Sequence, residues 1–323
     1  MRAIIVEAKQ LAIREVQTPK PKSFEILVRV HAASINRADL MQKEGKYAPP
    51  HGASEILGLD IAGVVEEVGP HVTRWRVGDR VMSLLEGGAY AQYAVTHEEI
   101  AMPIPERLSF EEAAAIPEVF LTAYQSLFTI GELQPEQWVL IQSGAGGVGT
   151  AAIQCAREFG AKAIATAGST DKIEACLDLG AQAAINYQAG PFVEKILEIT
   201  ENHGVDLIID FFGASMWEQN WNALARGGAI VMLATLGGSV VEKVDLRKLF
   251  DKWGTLSTSR LRNRSQEFKI HLVKEFSAFA LERFEKGTLK PIIHQVLPWK
   301  EIQKAHLLLE NRENIGKIVI SIN

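Results

Sequence analysis

The stretch Gly144-Ala145-Gly146-Gly147-Val148-Gly149 carries the clearest chemical signal in the sequence. It follows a short apolar run, Trp138-Val139-Leu140-Ile141. It opens a pattern that sets Val148, Ala152, Cys155 and Phe159 at helical spacing. Glycines spaced G-x-G-x-x-G between strand and helix permit a tight turn, let backbone approach a pyrophosphate and let helix pack on strand. Free N–H groups at the positive end of the helix then hold the anion. The chemistry is dinucleotide binding. Which dinucleotide is read about 20 residues on, where an NAD site carries an acid for the ribose 2′-hydroxyl. Here the next strand ends Thr166-Ala167-Gly168-Ser169 without an acid. Asp171 reads as the cap of the next helix, with Glu174 as its capping-box partner, and Lys172 stands beside it. A small, hydroxyl-bearing and cationic site suits a 2′-phosphate, which a carboxylate repels. The expected cofactor is NADP(H).

The elements that must position this loop divide the chain by texture. Up to about residue 118, short strands alternate with Gly and Pro turns, as in Glu25–Ala32, Ile61–Gly69 and Ala89–Val95, which suggests a compact β-barrel-like domain. From about 137, strands and helices alternate, which predicts a doubly wound parallel sheet. Its later strands are expected at Ala163–Ala167, Ala183–Asn186, Val205–Phe211 and Ala229–Ala234, with Gly160 and Gly180 closing helices. Open α/β sheets bind ligands at strand ends, so Phe211, Gly213, Leu233 and Thr235 are expected to line the nicotinamide. A long helix is predicted over Gln266–Lys286. Strands follow at Ile292–Leu297 and Lys317–Ile322, with a helix near Lys300–Glu310 between them.

Composition bounds the function. The 323 residues are 47% hydrophobic and 23% charged, with a net charge of −5, which excludes a disordered chain and argues against a nucleic-acid binder. The two cysteines, Cys155 and Cys176, cannot build a disulfide framework or a cysteine-cluster metal site, and both read as packing residues. With no targeting segment in view, a reducing, cytoplasmic setting is expected. Arg260, Arg262 and Arg264 alternate after the last parallel strand. If extended they share one face, and Arg262 is the one expected to reach the cofactor phosphates.

These residues resemble the medium-chain dehydrogenase/reductase superfamily over nearly the whole chain. The resemblance rests on Asn36–Met41, Gly45–Pro50, Leu57–Gly63, Ala114–Glu118 with Leu121–Ala123, the Ala167-Gly168-Ser169 and Lys172 pattern followed by Asn186-Tyr187, and Asn314–Lys317. It is strongest to the quinone oxidoreductase branch, relatives of zeta-crystallin, and within it to the tumour-suppressor-inducible quinone oxidoreductases. It implies a GroES-like catalytic domain, residues 1–119 and 263–323, into which an NADP-binding Rossmann domain, 120–262, is inserted, with the active site in the cleft. It further implies a homodimer formed edge to edge near Thr255–Ser259. Gly168, Ser169, Lys172 and Tyr187 would surround the 2′-phosphate. Thr122 would touch the nicotinamide end, and Asn314 would close over the cofactor.

The zinc-dependent branch of the superfamily holds catalytic zinc through a cysteine and a His-Glu pair. This chain has Asn36 at the first position and Leu59-Asp60 at the second, so no metal is expected. Without zinc a simple carbonyl is poorly polarised. Quinones and conjugated enones are better electrophiles and need a hydrogen-bond donor near the oxygen that gains charge. Asn36 is expected to donate its amide N–H there, and Tyr47 to cover the ring or donate its hydroxyl. The reading is an NADPH-dependent quinone reductase without metal or flavin, passing hydride or single electrons. Its rivals are an enone or alkenal double-bond reductase and an NADPH-binding sensor or scaffold with little turnover. The basic Arg260–Arg264 stripe leaves a weak nucleic-acid contact as the least favoured option.

Overall fold

The computed structural model describes residues 1–322. It divides the chain into two compact units, Met1–Leu121 with Leu261–Asn323, and Thr122–Arg260.

The first unit opens with a hairpin, β1 (Arg2–Glu7) and β2 (Gln10–Glu15), turned by Ala8 and Lys9 in the left-handed region. Its main sheet joins β3 (Glu25–Ser34), β4 (Asp60–Val68), β5 (Arg80–Leu84), β6 (Tyr93–His97) and β7 (Ala101–Pro103) to two strands from the tail. β3 is the hub: its first half pairs with β6, its last residues pair with the tail strand, and β4 runs along its other edge. Apolar residues at every second position, Ile26, Val28 and Val30, face a core that includes Leu57, Val65, Tyr90 and Trp299.

The second unit holds six parallel strands: β8 (Trp138–Ile141), β9 (Lys162–Ala167), β10 (Ala183–Asn186), β11 (Val205–Asp210), β12 (Leu224–Met232) and β13 (Thr255–Thr258). Their order in the sheet is β10-β9-β8-β11-β12-β13. Order reverses on either side of β8, which makes its carboxyl end the switch point of a doubly wound sheet. β8 and β11 are apolar through their middles because helices cover both faces. Leu140, Ile164, Ile208 and Ile230 pack with Phe192, Ile196 and Trp221. The helix Gly147–Phe159 ends on Gly160 in the left-handed conformation.

The tail returns to the first unit. The helix Gln266–Lys286 is capped by Ser265 and closed by Gly287. β14 (Ile293–Pro298) and β15 (Lys317–Ser321) then complete the seven-stranded sheet. Among the described residues, no helix is long and apolar enough to cross a membrane.

Several local expectations fail. The strand expected at Ala229–Ala234 runs from Leu224 to Met232. Ser169, not Asp171, is the N-cap of the helix Thr170–Asp178. Asp171 lies in its first turn, so it has no capping box with Glu174. The three arginines do not share a face, because Leu261–Asn263 forms a 3₁₀ turn instead of an extended strand. Arg262 is buried, Arg260 is exposed, and the Arg264 guanidinium lies over the Phe268 ring.

Candidate functional site

In the second unit the glycine loop runs from the end of β8 into the helix Gly147–Phe159. Ser143 takes a positive φ, and its carbonyl accepts the Gly146 N–H at 2.8 Å, closing the turn. A Cβ on Gly149 would lie 2.3 Å from the Ser143 oxygen and 2.6 Å from that of Gly144, so only glycine lets the helix start this close to the turn. Gly146 is the N-cap and offers no side chain to the first helical N–H groups. That leaves an anion as their natural partner.

The neighbouring strand ends converge on the same edge of the sheet. Asp210, buried at the end of β11, accepts the N–H groups of Phe212 and Gly213 and sets the loop that carries Phe211 and Gly213. Burial raises its carboxyl above the ordinary value, and those two N–H groups oppose the shift. Leu233 donates its N–H to the Asp210 carbonyl at 2.8 Å, and Gly213 packs against Thr235. At the end of β9, Gly168 lies beneath the Tyr187 hydroxyl, 2.8 Å from where a Cβ would stand. Tyr187 also packs against Phe212, centroids 5.9 Å apart. The Ser169 hydroxyl donates to the Asp171 carboxylate, the main cause that holds Asp171 below its ordinary value. Lys172 follows, half-buried. The second unit thus gathers the expected loop, Gly168, Ser169, Lys172, Tyr187, Phe211, Gly213, Leu233 and Thr235 on one sheet edge. The pattern of a glycine cradle, an uncapped helix start and a strand end without a carboxylate fits a phosphorylated dinucleotide. Thr122 is buried in the helix Pro117–Tyr124, where its carbonyl accepts the Ser126 hydroxyl.

In the first unit the register of three strands builds a buried polar cluster. β3 pairs Ala33 with Ile61 on β4 and Ser34 with Val319 on β15. Continued, the same registers set Asp60 beside Ser34 and Lys317 beside Asn36. Asn36 is the N-cap of the helix Arg37–Lys43, and its own N–H goes to the Asp39 carboxylate at 2.8 Å. Its side chain also reaches two buried charges. The Nδ2 group donates to Asp60 Oδ2 at 2.7 Å, and Oδ1 accepts from the Lys317 ammonium at 2.5 Å. Asp60 also accepts the Ser34 hydroxyl at 2.6 Å and the Glu118 N–H at 2.5 Å.

Acids around this cluster are perturbed. Burial pushes Asp39 up to about 6, against the hydrogen bonds from Asn36 and Tyr90. Burial and then the charge of Asp60 push Glu118 up to about 7, with Lys317 opposing. His306, edge-on to Tyr90, is pulled down to about 3 by burial and stays neutral. Cys176 is pushed up to about 12 by burial, so its thiol is inert.

Tyr47 and Arg262 meet in this unit. The guanidinium stands 5.4 Å from the Tyr47 ring centroid, and the Tyr47 hydroxyl is 3.4 Å from Asn263 Oδ1. Arg262 therefore belongs to the first unit, not to the parallel-sheet unit in which the sequence reading placed it. Its Nε donates to the Glu86 carbonyl, while buried Nη1 and Nη2 have no hydrogen-bond partner among the described residues. Asn314 is also here, its amide donated to the Gly316 carbonyl at 2.6 Å. Sequence reasoning missed Asp39, Asp60, Glu118 and Lys317 as a group. The available signal was a charge inside an apolar run, as in Leu59-Asp60-Ile61 and Lys317-Ile318-Val319.

A zinc ion does not fit the Asn36 position. Leu59 is buried and apolar, and the oxygens of Asn36 and Asp60 already face the Lys317 ammonium. Among the described residues, no group of three or more His, Cys, Asp and Glu side chains could hold a metal.

Comparison with known proteins agrees with the two-unit architecture. A family model described as alcohol dehydrogenase GroES-like domain matches residues 22–106, and one described as zinc-binding dehydrogenase matches 147–278. Quinone oxidoreductase-like protein 2 of Bos taurus is 31% identical over 322 residues, covering 99% of this chain and 92% of the relative. The structure of Escherichia coli quinone oxidoreductase complexed with NADPH superposes with a TM-score of 0.88 at 31% identity, covering 99% of both chains. The CurK enoyl reductase superposes at 0.86 with 28% identity, covering 100% of this chain and 99% of that one. The chain belongs to the medium-chain dehydrogenase/reductase family, among its quinone oxidoreductase-like members.

Proposed function

We propose that the protein is an NADPH-dependent quinone oxidoreductase that works without metal or flavin. The observation that carries this reading is the Asn36 amide. It is held between Asp60 and Lys317 where zinc-dependent relatives place a metal ligand, so a hydrogen-bond donor replaces the Lewis acid. Bound NADPH supplies the hydride. The second unit holds its pyrophosphate on the Gly144–Gly149 loop and its 2′-phosphate near Gly168, Ser169, Lys172 and Tyr187. Phe211, Gly213, Leu233 and Thr235 line the nicotinamide, with Thr122 at its end and Asn314 closing over the cofactor. Asn36 donates to the substrate oxygen that gains negative charge, and Tyr47 covers the ring. Arg262 packs on Tyr47, which favours a place near the substrate over the earlier assignment to the cofactor phosphates.

The test is oxidation of NADPH and NADH by purified protein, without added metal or flavin, over a panel of quinones and enones. Turnover on quinones with NADPH preferred is the expected result. Turnover confined to enones would assign a double-bond reductase, a reading that the likeness to an enoyl reductase keeps in view. NADPH binding with no turnover on any acceptor would reject both and leave a sensor.

The protein is further proposed to be a homodimer. β13 is the last strand of its sheet, with one edge unpaired among the described residues. Around it Leu246, Phe250, Trp253 and Leu256 are exposed, Phe250 to 76%. An open strand edge beside exposed apolar side chains invites a second copy. Phe250→Glu with Leu256→Lys is expected to halve the mass seen by light scattering. A wild-type protein that is already monomeric at micromolar concentration rejects the dimer.

A further inference from the structure

Lys317 and Asp60 form a buried ion pair whose arrangement reaches beyond holding the sheet together. The Lys317 side chain is 4% exposed, and its ammonium meets the Ile35 carbonyl at 2.9 Å, Asn36 Oδ1 at 2.5 Å and Asp60 Oδ2 at 3.4 Å. Asp60 is 1% exposed and accepts from four groups: the Ser34 hydroxyl, the Asn36 amide, the Lys317 ammonium and the Glu118 N–H. A buried pair of this kind is a poor way to gain stability, since desolvating both charges offsets their attraction. It is a good way to fix the orientation of a group between them.

That group is the Asn36 amide. An asparagine can turn over, exchanging its oxygen for its nitrogen, with almost no change in shape. Here one neighbour only donates and the other accepts throughout. The ammonium takes the oxygen and the carboxylate takes one N–H, so the flipped amide would set two donors against each other and two acceptors against each other. The second Nδ2–H has no acceptor among the described residues. An ammonium on the carbonyl oxygen also draws electron density from the nitrogen, which makes that remaining N–H a stronger donor.

We propose that Lys317 and Asp60 are positioning residues that orient the Asn36 amide and polarise its second N–H toward a substrate oxygen. This rests on the quinone reductase reading, in which that oxygen gains charge as hydride arrives. Lys317 never touches the substrate and acts through Asn36 alone.

The experiment is a double-mutant cycle on quinone turnover, with Asn36→Ala, Lys317→Met and both together, each checked by circular dichroism and thermal melting. Lys317→Met is expected to lower kcat about 10- to 100-fold, the range for one charge-assisted hydrogen bond, with the KM for NADPH unchanged. In the Asn36→Ala background the same substitution is expected to change kcat less than threefold, because the residue it acts through is gone. Equal losses in both backgrounds would overturn the proposal, as would full activity of Lys317→Met. An Asn36→Ala variant with wild-type turnover would instead remove the catalytic reading of Asn36. If Lys317→Met does not fold, the wild-type protein decides. With asparagine labelled by ¹⁵N, one Asn36 side-chain proton should exchange slowly and the other should shift when 1,4-naphthoquinone is added with NADP⁺, which cannot transfer hydride. Two equally exchanging protons that both ignore the quinone would overturn the proposal.

Discussion

Gly149→Val is expected to abolish NADPH binding and to lower the melting temperature by several degrees. The cause is local and steric. A Cβ at this position would stand 2.3 Å from the Ser143 oxygen, 2.6 Å from the Gly144 oxygen and 2.7 Å from the Gly144 carbonyl carbon. All three are backbone atoms, so no rotamer relieves the clash. The turn they belong to already uses a positive φ at Ser143 and a hydrogen bond from Gly146, and it has little room to move. Overpacking of this kind costs about 1–3 kcal/mol, and each kcal/mol lowers the melting temperature by about 2–4 °C in a unit of this size. The effect on binding is larger. The loop must present consecutive N–H groups to one pyrophosphate. Pushing the helix start away from the turn separates them and removes at least two charge-assisted hydrogen bonds, together about 100-fold or more in affinity. Fluorescence titration with NADPH and a thermal scan check both parts. A variant that binds NADPH as tightly as the wild type would show that the pyrophosphate does not sit on this loop.

How much of this was legible depends on distance along the chain. The parallel-sheet unit is built from local signals: apolar runs of strand length, a glycine loop, and glycines after helices. The sequence reading therefore finds β8 to β11 to within a residue or so, whereas β12 begins at Leu224, five residues before the expected Ala229, and β13 was placed only by the family resemblance. The helix Gln266–Lys286 matches at both ends because its cap, Ser265, and its terminator, Gly287, are themselves sequence signals. The β1–β2 hairpin was not legible. Its turn places Ala8 and Lys9 at positive φ, where glycine or asparagine is the usual sign. The arginine stripe misled for the opposite reason. Alternation is only a signal if the backbone is extended, and a 3₁₀ turn at Leu261–Asn263 removes that condition.

The polar cluster illustrates a harder limit. Asn36, Asp60 and Glu118 each look like a loop or strand-end residue, and Lys317 looks like a solvated charge at the start of a strand. Asn36, Asp60 and Lys317 are brought together by the β15–β3 and β3–β4 registers, which join residues 281 and 24 positions apart, and Glu118 reaches Asp60 from the helix Pro117–Tyr124. Registers between distant strands are set by packing of the whole sheet, so no window of sequence contains them. The buried acids Asp39 and Glu118 follow the same rule. What raises them is burial by elements that arrive from elsewhere in the chain.

Lys172→Glu is expected to reverse the choice of cofactor. The end of β9 carries no acid, but Asp171 stands two residues beyond Ser169, and the Ser169 hydroxyl keeps its carboxylate charged. A 2′-phosphate arriving there would take the Ser169 hydroxyl for itself and leave Asp171 as a repelling neighbour. Lys172 is then the cation that makes the phosphate welcome. Its replacement by glutamate removes a charge-assisted hydrogen bond and adds a second repulsion, so kcat/KM with NADPH should fall about 100-fold. NADH has a hydroxyl in place of the phosphate, and its kcat/KM should change less than about threefold, within the range of an exposed surface charge. Asp171→Asn tests the same geometry from the other side: relieved of the repulsion, NADPH should bind severalfold more tightly while NADH does not. Steady-state kinetics with both cofactors against one quinone measure all of this. An equal loss for NADPH and NADH in Lys172→Glu would mean that the lysine supports the helix Thr170–Asp178 instead of reading the phosphate. An unchanged preference would move the 2′-phosphate away from Ser169 altogether.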